Sequence, residues 1–140
     1  KDGNAKNILS DYSGAIQDFT KAIENDSTLF DAFYQRGFSK CSLKDYKGAI
    51  QDYTKAIKIN PNSSDAYNDR GGAKLKILDI GAIQDFTKAI EINPNDAFAY
   101  TNRGNAKYNS YDDKGACVDW KKASELGNNL ALEYIKKYCK

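Results

Sequence analysis

Apolar residues recur along this chain at the spacing expected of amphipathic α-helices. In the segment GAIQDYTKAI, the apolar side chains are Ala49, Ile50, Tyr53, Ala56 and Ile57. Their positions i, i+1, i+4, i+7 and i+8 form a wide stripe on one face of a helix, with polar residues opposite. The segment contains no Pro, so it is predicted to be a helix that packs on a neighbour.

The same polar and apolar pattern occurs four times. GAIQDFTKAI begins at Gly14 and at Gly81, GAIQDYTKAI begins at Gly48, and a divergent copy, GACVDWKKAS, begins at Gly115. The leading glycines are 34, 33 and 34 residues apart by position, and a second shared pattern, such as RGFSK or RGNAK, precedes each copy. Such a period predicts stacked helix pairs, none of which buries its apolar face alone.

The boundaries between the predicted helices carry helix-stop and helix-cap residues. Asn60-Pro61-Asn62 and Asn93-Pro94-Asn95 follow two copies of the repeated segment, and a Pro disfavours helical geometry in the residue before it. Ser64 and Asp96 are predicted to cap the helices that come next. The third unit is one residue shorter than its neighbours, and alignment places the loss at the turn between its two helices, where a deletion does not rotate a helix.

The repeat resembles the tetratricopeptide repeat, a helix pair of about 34 residues with small residues at the helix crossing and a Pro near its end. The second unit carries this pattern at Phe33, Gly37, Ala49, Tyr53, Ala56 and Pro61. The resemblance implies an all-α fold: a right-handed superhelical solenoid of about four helix-turn-helix repeats, the first truncated, with a C-terminal capping helix. We expect a single domain over residues 1–140, divided into repeats at 1–29, 30–63, 64–96 and 97–129 and a capping helix at 130–140.

Composition and charge argue against several functions. Lys and Arg number 21, Asp and Glu number 19, and the two signs are interleaved, whereas a nucleic-acid or anionic-membrane partner favours a clustered basic face. No apolar run reaches the about 20 residues of a membrane span. The chain has no His, no Gly-rich phosphate loop and no zinc-binding motif, so we predict no catalytic residue, no cofactor and no metal. Cys41, Cys117 and Cys139 are predicted to be free thiols.

A row of cations occupies the first helix of each full repeat. The family usually has Leu one residue before the Gly of that helix, but Arg36, Arg70 and Arg103 stand there, each followed four residues later by a Lys. They lie on the side that faces the second helix, where a cation needs a partner. The second helix offers one aspartate per repeat, which predicts the ion pairs Arg36 with Asp52, Arg70 with Asp85, and Arg103 with Asp119. We expect these pairs to fix the helix crossing; a ligand-binding row of arginines is the alternative.

In proteins that resemble this one, the first helices line a concave groove. Register carries the partner-binding positions onto Asn4, Tyr34, Phe38, Asn68, Lys76, Phe98, Thr101, Asn105 and Tyr108, and the same face includes Asp31, Cys41, Asp65, Gly72, Leu75 and Asn109. Asn and Thr can bond a peptide backbone, and aromatic rings are common anchors at binding hot spots. Packing of some aromatics between repeats is the alternative interpretation. Some family members grip a partner's terminal carboxylate with cations, but Asp65, Asp69, Phe98 and Asn102 stand at the later positions of that clamp.

The sequence therefore predicts a protein-interaction scaffold that binds a peptide or a partner protein in its groove. One alternative is a helical repeat that reads single-stranded RNA through side chains at fixed repeat positions. Another is a self-associating module, joined end to end through the exposed apolar edge of an uncapped N-terminal repeat. A groove without clustered cations favours protein over nucleic acid.

Overall fold

The computed structural model describes residues 11–140, and all regular structure in that range is α-helical. The helices are α1 (Tyr12–Asn25), α2 (Phe30–Ser42), α3 (Tyr46–Ile59), α4 (Ser64–Lys76), α5 (Gly81–Ile92), α6 (Ala97–Asn109), α7 (Asp113–Glu125) and α8 (Asn129–Tyr138). Each helix packs against the next one along the chain, and α4 also contacts α2 and α6. This arrangement confirms the predicted all-α solenoid of helix pairs, ending in the additional helix α8. Asn4 and the predicted uncapped edge of the first repeat lie outside the described residues.

Small residues allow the two helices of each repeat to cross closely. Ala49 is fully buried at one crossing. A Cβ placed on Gly37 would lie 2.9 Å from the ring of Tyr53, and one placed on Gly104 would lie 2.5 Å from Trp120 Nε1. Because interiors are close-packed, these glycines leave the space that the ring of the partner helix fills.

Side-chain caps fix the starts of α4 and α6, with one departure from the sequence prediction. The Asp96 carboxylate accepts from the amide of Ala99 at 3.2 Å, as expected of a cap. The cap of α4 is Ser63 rather than Ser64, and its hydroxyl accepts from the Ala66 amide at 3.1 Å. The cap oxygen must reach an amide two or three residues on, and Ser64 is already helical, so the preceding turn is one residue shorter than predicted.

The C-terminal helix is bonded covalently to the last repeat. Cys117 of α7 and Cys139 at the end of α8 form a disulfide, so the prediction that both are free thiols is wrong. The two residues are 22 apart in sequence and meet because α8 folds back along α7, a proximity that the spacing of cysteines does not encode. Tyr134 of α8 packs on Trp120 of α7, with ring centroids 5.3 Å apart. Cys41 has no disulfide partner in the described range.

Candidate functional site

Ion pairs link the two helices of each full repeat at one repeated position. The guanidinium of Arg70 donates two parallel hydrogen bonds to the Asp85 carboxylate, 2.9 Å from Nε to Oδ2 and 2.7 Å from Nη2 to Oδ1. The structure brings the other two predicted pairs together in the same bidentate geometry: Arg36 with Asp52, and Arg103 with Asp119. The three carboxylates are buried, with residue exposures of 3%, 4% and 2% in chain order.

Two further side chains complete each ion pair. Lys74 Nζ lies 3.1 Å from Asp85 Oδ2, so this carboxylate has two cationic partners. Arg70 also donates from Nη1 to Thr54 Oγ1 at 3.1 Å, and Thr54 belongs to α3 of the preceding repeat. The remaining repeats have equivalent contacts, through Lys40 and Lys107 and through Thr20 and Thr87. The repeated set of Arg, Asp, Lys and Thr is termed the ladder.

The threonines of the ladder were missed by the sequence analysis, although a signal for them exists. Each lies 16 residues before the Arg that it contacts, a spacing that recurs in every described repeat junction. The Thr54 hydroxyl donates to the Ile50 carbonyl at 2.7 Å, which leaves its oxygen to accept from the arginine. The ladder therefore connects successive repeats as well as the two helices within one repeat.

Every charged group of the ladder has partners inside the fold. The guanidinium of Arg103 lies 5.5 Å from the ring centroid of Tyr100, and its hydrogen bond with Asp119 raises the pKa of that arginine. Removing one member of such a buried pair leaves an uncompensated charge, so the geometry fits a structural role. The ladder presents no free carboxylate to a ligand.

An open groove of about 600 Å³ follows the first helices of the second, third and fourth repeats. Its lining residues include Phe38, Asp65, Asn68, Asp69, Gly72, Lys76, Asp96 and Phe98. Phe38 of α2 is 44% exposed and Phe98 of α6 is 73% exposed, and α4 lies between these two helices. A Cβ added to Gly72 of α4 would meet nothing within 4 Å. The groove is therefore open at its centre and flanked by two exposed rings.

Four of the residues predicted to bind a partner line this groove: Phe38, Asn68, Lys76 and Phe98. Tyr34 contacts its own fold instead. Its hydroxyl donates to the carboxylate of Asp69 on the next repeat, and its ring stacks on Phe30 with centroids 5.7 Å apart. Tyr34 thus joins two repeats, which is the alternative that the sequence left open for some of the aromatics.

Three predicted groove residues of the fourth repeat contact the C-terminal end of the solenoid. Thr101 is buried, and its hydroxyl accepts from Asn128 Nδ2 at 2.9 Å. Asn105 accepts from Trp120 Nε1 at 3.1 Å, and Tyr108 packs on the same indole with ring centroids 5.8 Å apart. The C-terminal end accounts for the contact of Thr101 with Asn128 and for a further contact of Tyr108 with Tyr138 of α8, whereas the contacts with Trp120 lie inside the fourth repeat.

Three carboxylates line the groove without a cationic partner among the described residues. Asp65 lies in the first turn of α4 and is exposed. Asp69 lies one turn further along; burial raises the pKa of its carboxyl, and the hydrogen bond from Tyr34 partly opposes that rise. Asp96 caps α6 and borders the groove at the same time. The sequence analysis identified Asp96 only as a cap and did not place Asp69 among the binding residues.

Cationic side chains are fewer than carboxylates on this surface. Asn68 Nδ2 donates to Asp96 Oδ2 at 2.5 Å, while Asn68 Oδ1 is buried with no donor within residues 11–140. Lys76, at the end of α4, is exposed and is the one cationic side chain that lines the groove in the described part of the chain. The groove therefore combines aromatic rings with an excess of negative over positive side chains.

Neither a membrane span nor a metal centre is found over residues 11–140. No helix there has the length and apolar character needed to cross a bilayer. The same residues contain no group of His, Cys, Asp and Glu arranged to hold a metal ion.

Two family models match the sequence, and both describe a tetratricopeptide repeat, over residues 30–63 and 86–116. Among solved structures, MamA superposes with a TM-score of 0.87 at 23% identity, covering 89% of this chain and 74% of its own. The Arabidopsis OM64 TPR domain superposes with a TM-score of 0.75 at 29% identity, covering 78% of this chain and 93% of its own. The first TPR of Spaghetti (RPAP3), bound to the HSP90 peptide SRMEEVD, gives 0.75 at 24% identity, with coverages of 81% and 92%. No curated protein matches the sequence.

The fold and the groove define a helical-repeat solenoid of the protein-interaction scaffold class. The four-fold sequence pattern, the helix pairs and the two matched repeat models agree on a single family. The chain belongs to the tetratricopeptide repeat family.

Proposed function

We propose that this chain is a non-catalytic scaffold that binds a segment of a partner protein in the groove. The observation that carries the proposal is the pair of exposed rings, Phe38 and Phe98, on either side of the open space above Gly72. Burial of aromatic surface contributes about 25 cal/mol per Å² of apolar area, so a segment seated here would be stabilised mainly by these two anchors.

The composition of the groove supports binding rather than catalysis. The sequence contains no His, and the buried carboxylates that recur in every full repeat belong to the ladder, where they are paired. The remaining groove groups, such as Asp65 and Lys76, belong to different ends of α4. We therefore propose recognition without a chemical step.

The chemistry of the groove also argues against an acidic partner segment. The peptide SRMEEVD in the Spaghetti structure contains two Glu and one Asp. In the present chain a segment of that kind would meet Asp65, Asp69 and Asp96 with Lys76 as the cation of the lining. Like charges placed together across an interface suppress binding.

The same carboxylates disfavour the RNA alternative, since phosphates are recognised chiefly by Lys and Arg. Self-association through the N-terminal repeat stays a prediction, because the edge in question lies in residues 1–10. Both alternatives can be measured beside the peptide experiment, with single-stranded RNA as a probe and sedimentation of the chain alone.

A groove-filling substitution tests the proposal. Gly72→Leu adds a side chain into space that is empty around the Cβ, and it replaces a helix-disfavouring glycine, so we expect the variant to fold. Gln84→Leu is the matched control, because it adds the same side chain at an exposed position of α5 outside the groove. Random dodecapeptides displayed on phage would be selected on the wild-type chain and then measured against both variants by fluorescence anisotropy.

We expect the selected peptides to bind the wild type and Gln84→Leu alike and to bind Gly72→Leu at least about tenfold more weakly, a loss of about 1.4 kcal/mol. Peptides that bind Gly72→Leu as tightly as the wild type would place the binding surface elsewhere and overturn the proposal. Binding of single-stranded RNA that depends on salt, without any groove-dependent peptide, would favour the alternative.

A further inference from the structure

The polar lining of the groove is complementary to a positively charged segment. We infer that the segment bound there presents a Lys or Arg side chain to the wall formed by Asp65, Asp69 and Asp96, next to the two exposed rings. The inference rests on the proposed function and specifies the chemistry of the partner.

The groove aspartates differ from the ladder aspartates in their lack of cationic partners in the described part of the chain. The ladder and the groove both contain three aspartates, but each ladder aspartate has an Arg and a Lys within 3.1 Å. The groove aspartates have no such partner among residues 11–140. A row of carboxylates beside low-dielectric walls attracts cations and raises their local concentration. A cationic side chain from a partner would supply the charge that the fold does not.

The groove carboxylates also have unused hydrogen-bond acceptor sites. The carboxylates of Asp69 and Asp96 each accept bonds from within the fold, yet an ionised carboxylate has about four acceptor sites, so capacity is left over. Lys and Arg carry only donors in their side chains, with three and five N–H groups respectively. A donor-rich segment fits this wall better than a neutral or acidic one.

The exposed aromatic rings can contact both the apolar stem and the charged group of a Lys or Arg side chain. A Lys or Arg stem is apolar and packs along exposed rings while its charged head reaches a polar group. A cation within about 6 Å of an aromatic face is also attracted by the ring quadrupole. Phe38 and Phe98 are the exposed rings of this surface, and Gly72 leaves the space between them open. Apolar and acidic surfaces are thus placed where one long cationic side chain can use both.

The test compares twin peptides that differ at one charged residue. The strongest groove-dependent dodecapeptide would be synthesised as selected, and again with its Lys or Arg residues replaced in turn by Glu and by norleucine. Each peptide would be titrated by fluorescence anisotropy against the wild type, Asp65→Asn and Asp113→Asn at low and at high salt. Asp113 is the matched control, since it is also an exposed first-turn aspartate but lies on α7 outside the groove.

We expect the selected peptides to be enriched in Lys and Arg, and the Glu twin to bind the wild type at least about tenfold more weakly. Asp65→Asn should reduce the affinity ratio between the parent peptide and its Glu twin by about threefold, as expected for loss of one exposed charge. Asp113→Asn should leave this ratio unchanged. Added salt should reduce the difference between the twins.

Two outcomes separate failure of this inference from failure of the proposed function. If Gly72→Leu abolishes binding but the Glu twin binds as tightly as its parent, or the selected peptides carry no excess of Lys and Arg, the charge inference is overturned and the groove remains the binding site. If Gly72→Leu leaves the affinity of every peptide unchanged, the proposed function fails together with the inference.

Discussion

Two sets of aspartates lie along this solenoid in opposite environments. Those of the ladder, such as Asp85, are almost fully buried and receive a bidentate Arg, a Lys and, through the Arg, a Thr from the preceding repeat. Those of the groove, such as Asp65, have no cationic partner among the residues that the structure describes. The ladder aspartate recurs in each full repeat, whereas the groove differs from one repeat to the next. Recurrence marks the residues that determine stacking, and variation marks the surface available for recognition.

Two adjacent residues of the first helix show this contrast between packing residues and groove residues. The glycine of the first helix, for example Gly71, faces the ring of Phe86 on the partner helix. The residue after it differs among the described repeats: Phe38, Gly72 and Asn105. In the second and third repeats this position supplies a wall and the open floor of the groove. A single residue step therefore separates the packed side of the helix from the side that a partner can reach.

The largest expected effect comes from removing a ladder aspartate. Asp85→Ala should lower the free energy of unfolding by about 3 kcal/mol, because it leaves the part-buried Arg70 and Lys74 without their counter-ion. Circular dichroism during urea titration measures the change. The groove variant Asp65→Ala is the control and should cost less than about 1 kcal/mol, since its carboxylate is exposed and acts mainly on the helix dipole. Equal losses for the two variants would contradict the contrast between ladder and groove.

Substitution of Ala for either of two adjacent glycines should change the stability in opposite directions. Gly71→Ala places a Cβ 2.9 Å from the ring of Phe86, which is fully buried and would have to shift, so we expect a loss of about 1–2 kcal/mol. Gly72→Ala meets no atom within 4 Å and should raise stability by about 1 kcal/mol through helix propensity. Urea midpoints of the two variants measure the difference, and a shift in the same direction for both would contradict it.

Much of the fold could be predicted from the sequence because it is periodic. The recurring GAIQD segment predicts α3 and α5, and the Arg to Asp spacing predicts the ladder pairs, since both depend on contacts inside one repeat unit. Part of what escaped prediction lies where the repeat is interrupted. Cys117 meets Cys139, and Tyr108 packs on Tyr138, only because α8 ends the array in place of a further repeat.

The groove was predicted less completely for a related reason. Register identifies the helix face, and Phe38 and Phe98 were placed on it correctly as lining residues. Register does not reveal that Tyr34 turns to Asp69 on the next repeat, nor that Asp96 serves both as a cap and as part of the wall. These outcomes depend on contacts between repeats, which vary with the residues on both sides of the junction.

A smaller effect tests whether the ladder joins successive repeats. Thr54→Val keeps the branched shape but removes the hydroxyl that accepts from Arg70 Nη1, so we expect a loss of about 0.5–1 kcal/mol. Thr54→Ser is the control, because it retains the hydroxyl and should recover most of that stability. A Val variant as stable as the wild type would confine the ladder to pairs within each repeat.

The smallest effect concerns Asp69, the groove aspartate whose environment is closest to that of the ladder. Burial raises the pKa of its carboxyl above the ordinary value of 3.8, so the folded state binds a proton more readily than the unfolded chain. The stabilisation from that proton is present below the unfolded pKa and is lost as pH rises through the folded pKa. Asp69→Asn removes the dependence and keeps an oxygen that can accept from Tyr34. The difference in unfolding free energy, wild type minus variant, should therefore fall across this window and then stay constant, as urea titrations at a series of pH values would measure. Tyr34→Phe removes the bond that lowers the pKa of Asp69, so it should move the window to higher pH. A difference that rises with pH would show a carboxylate stabilised in its charged form and would contradict this prediction.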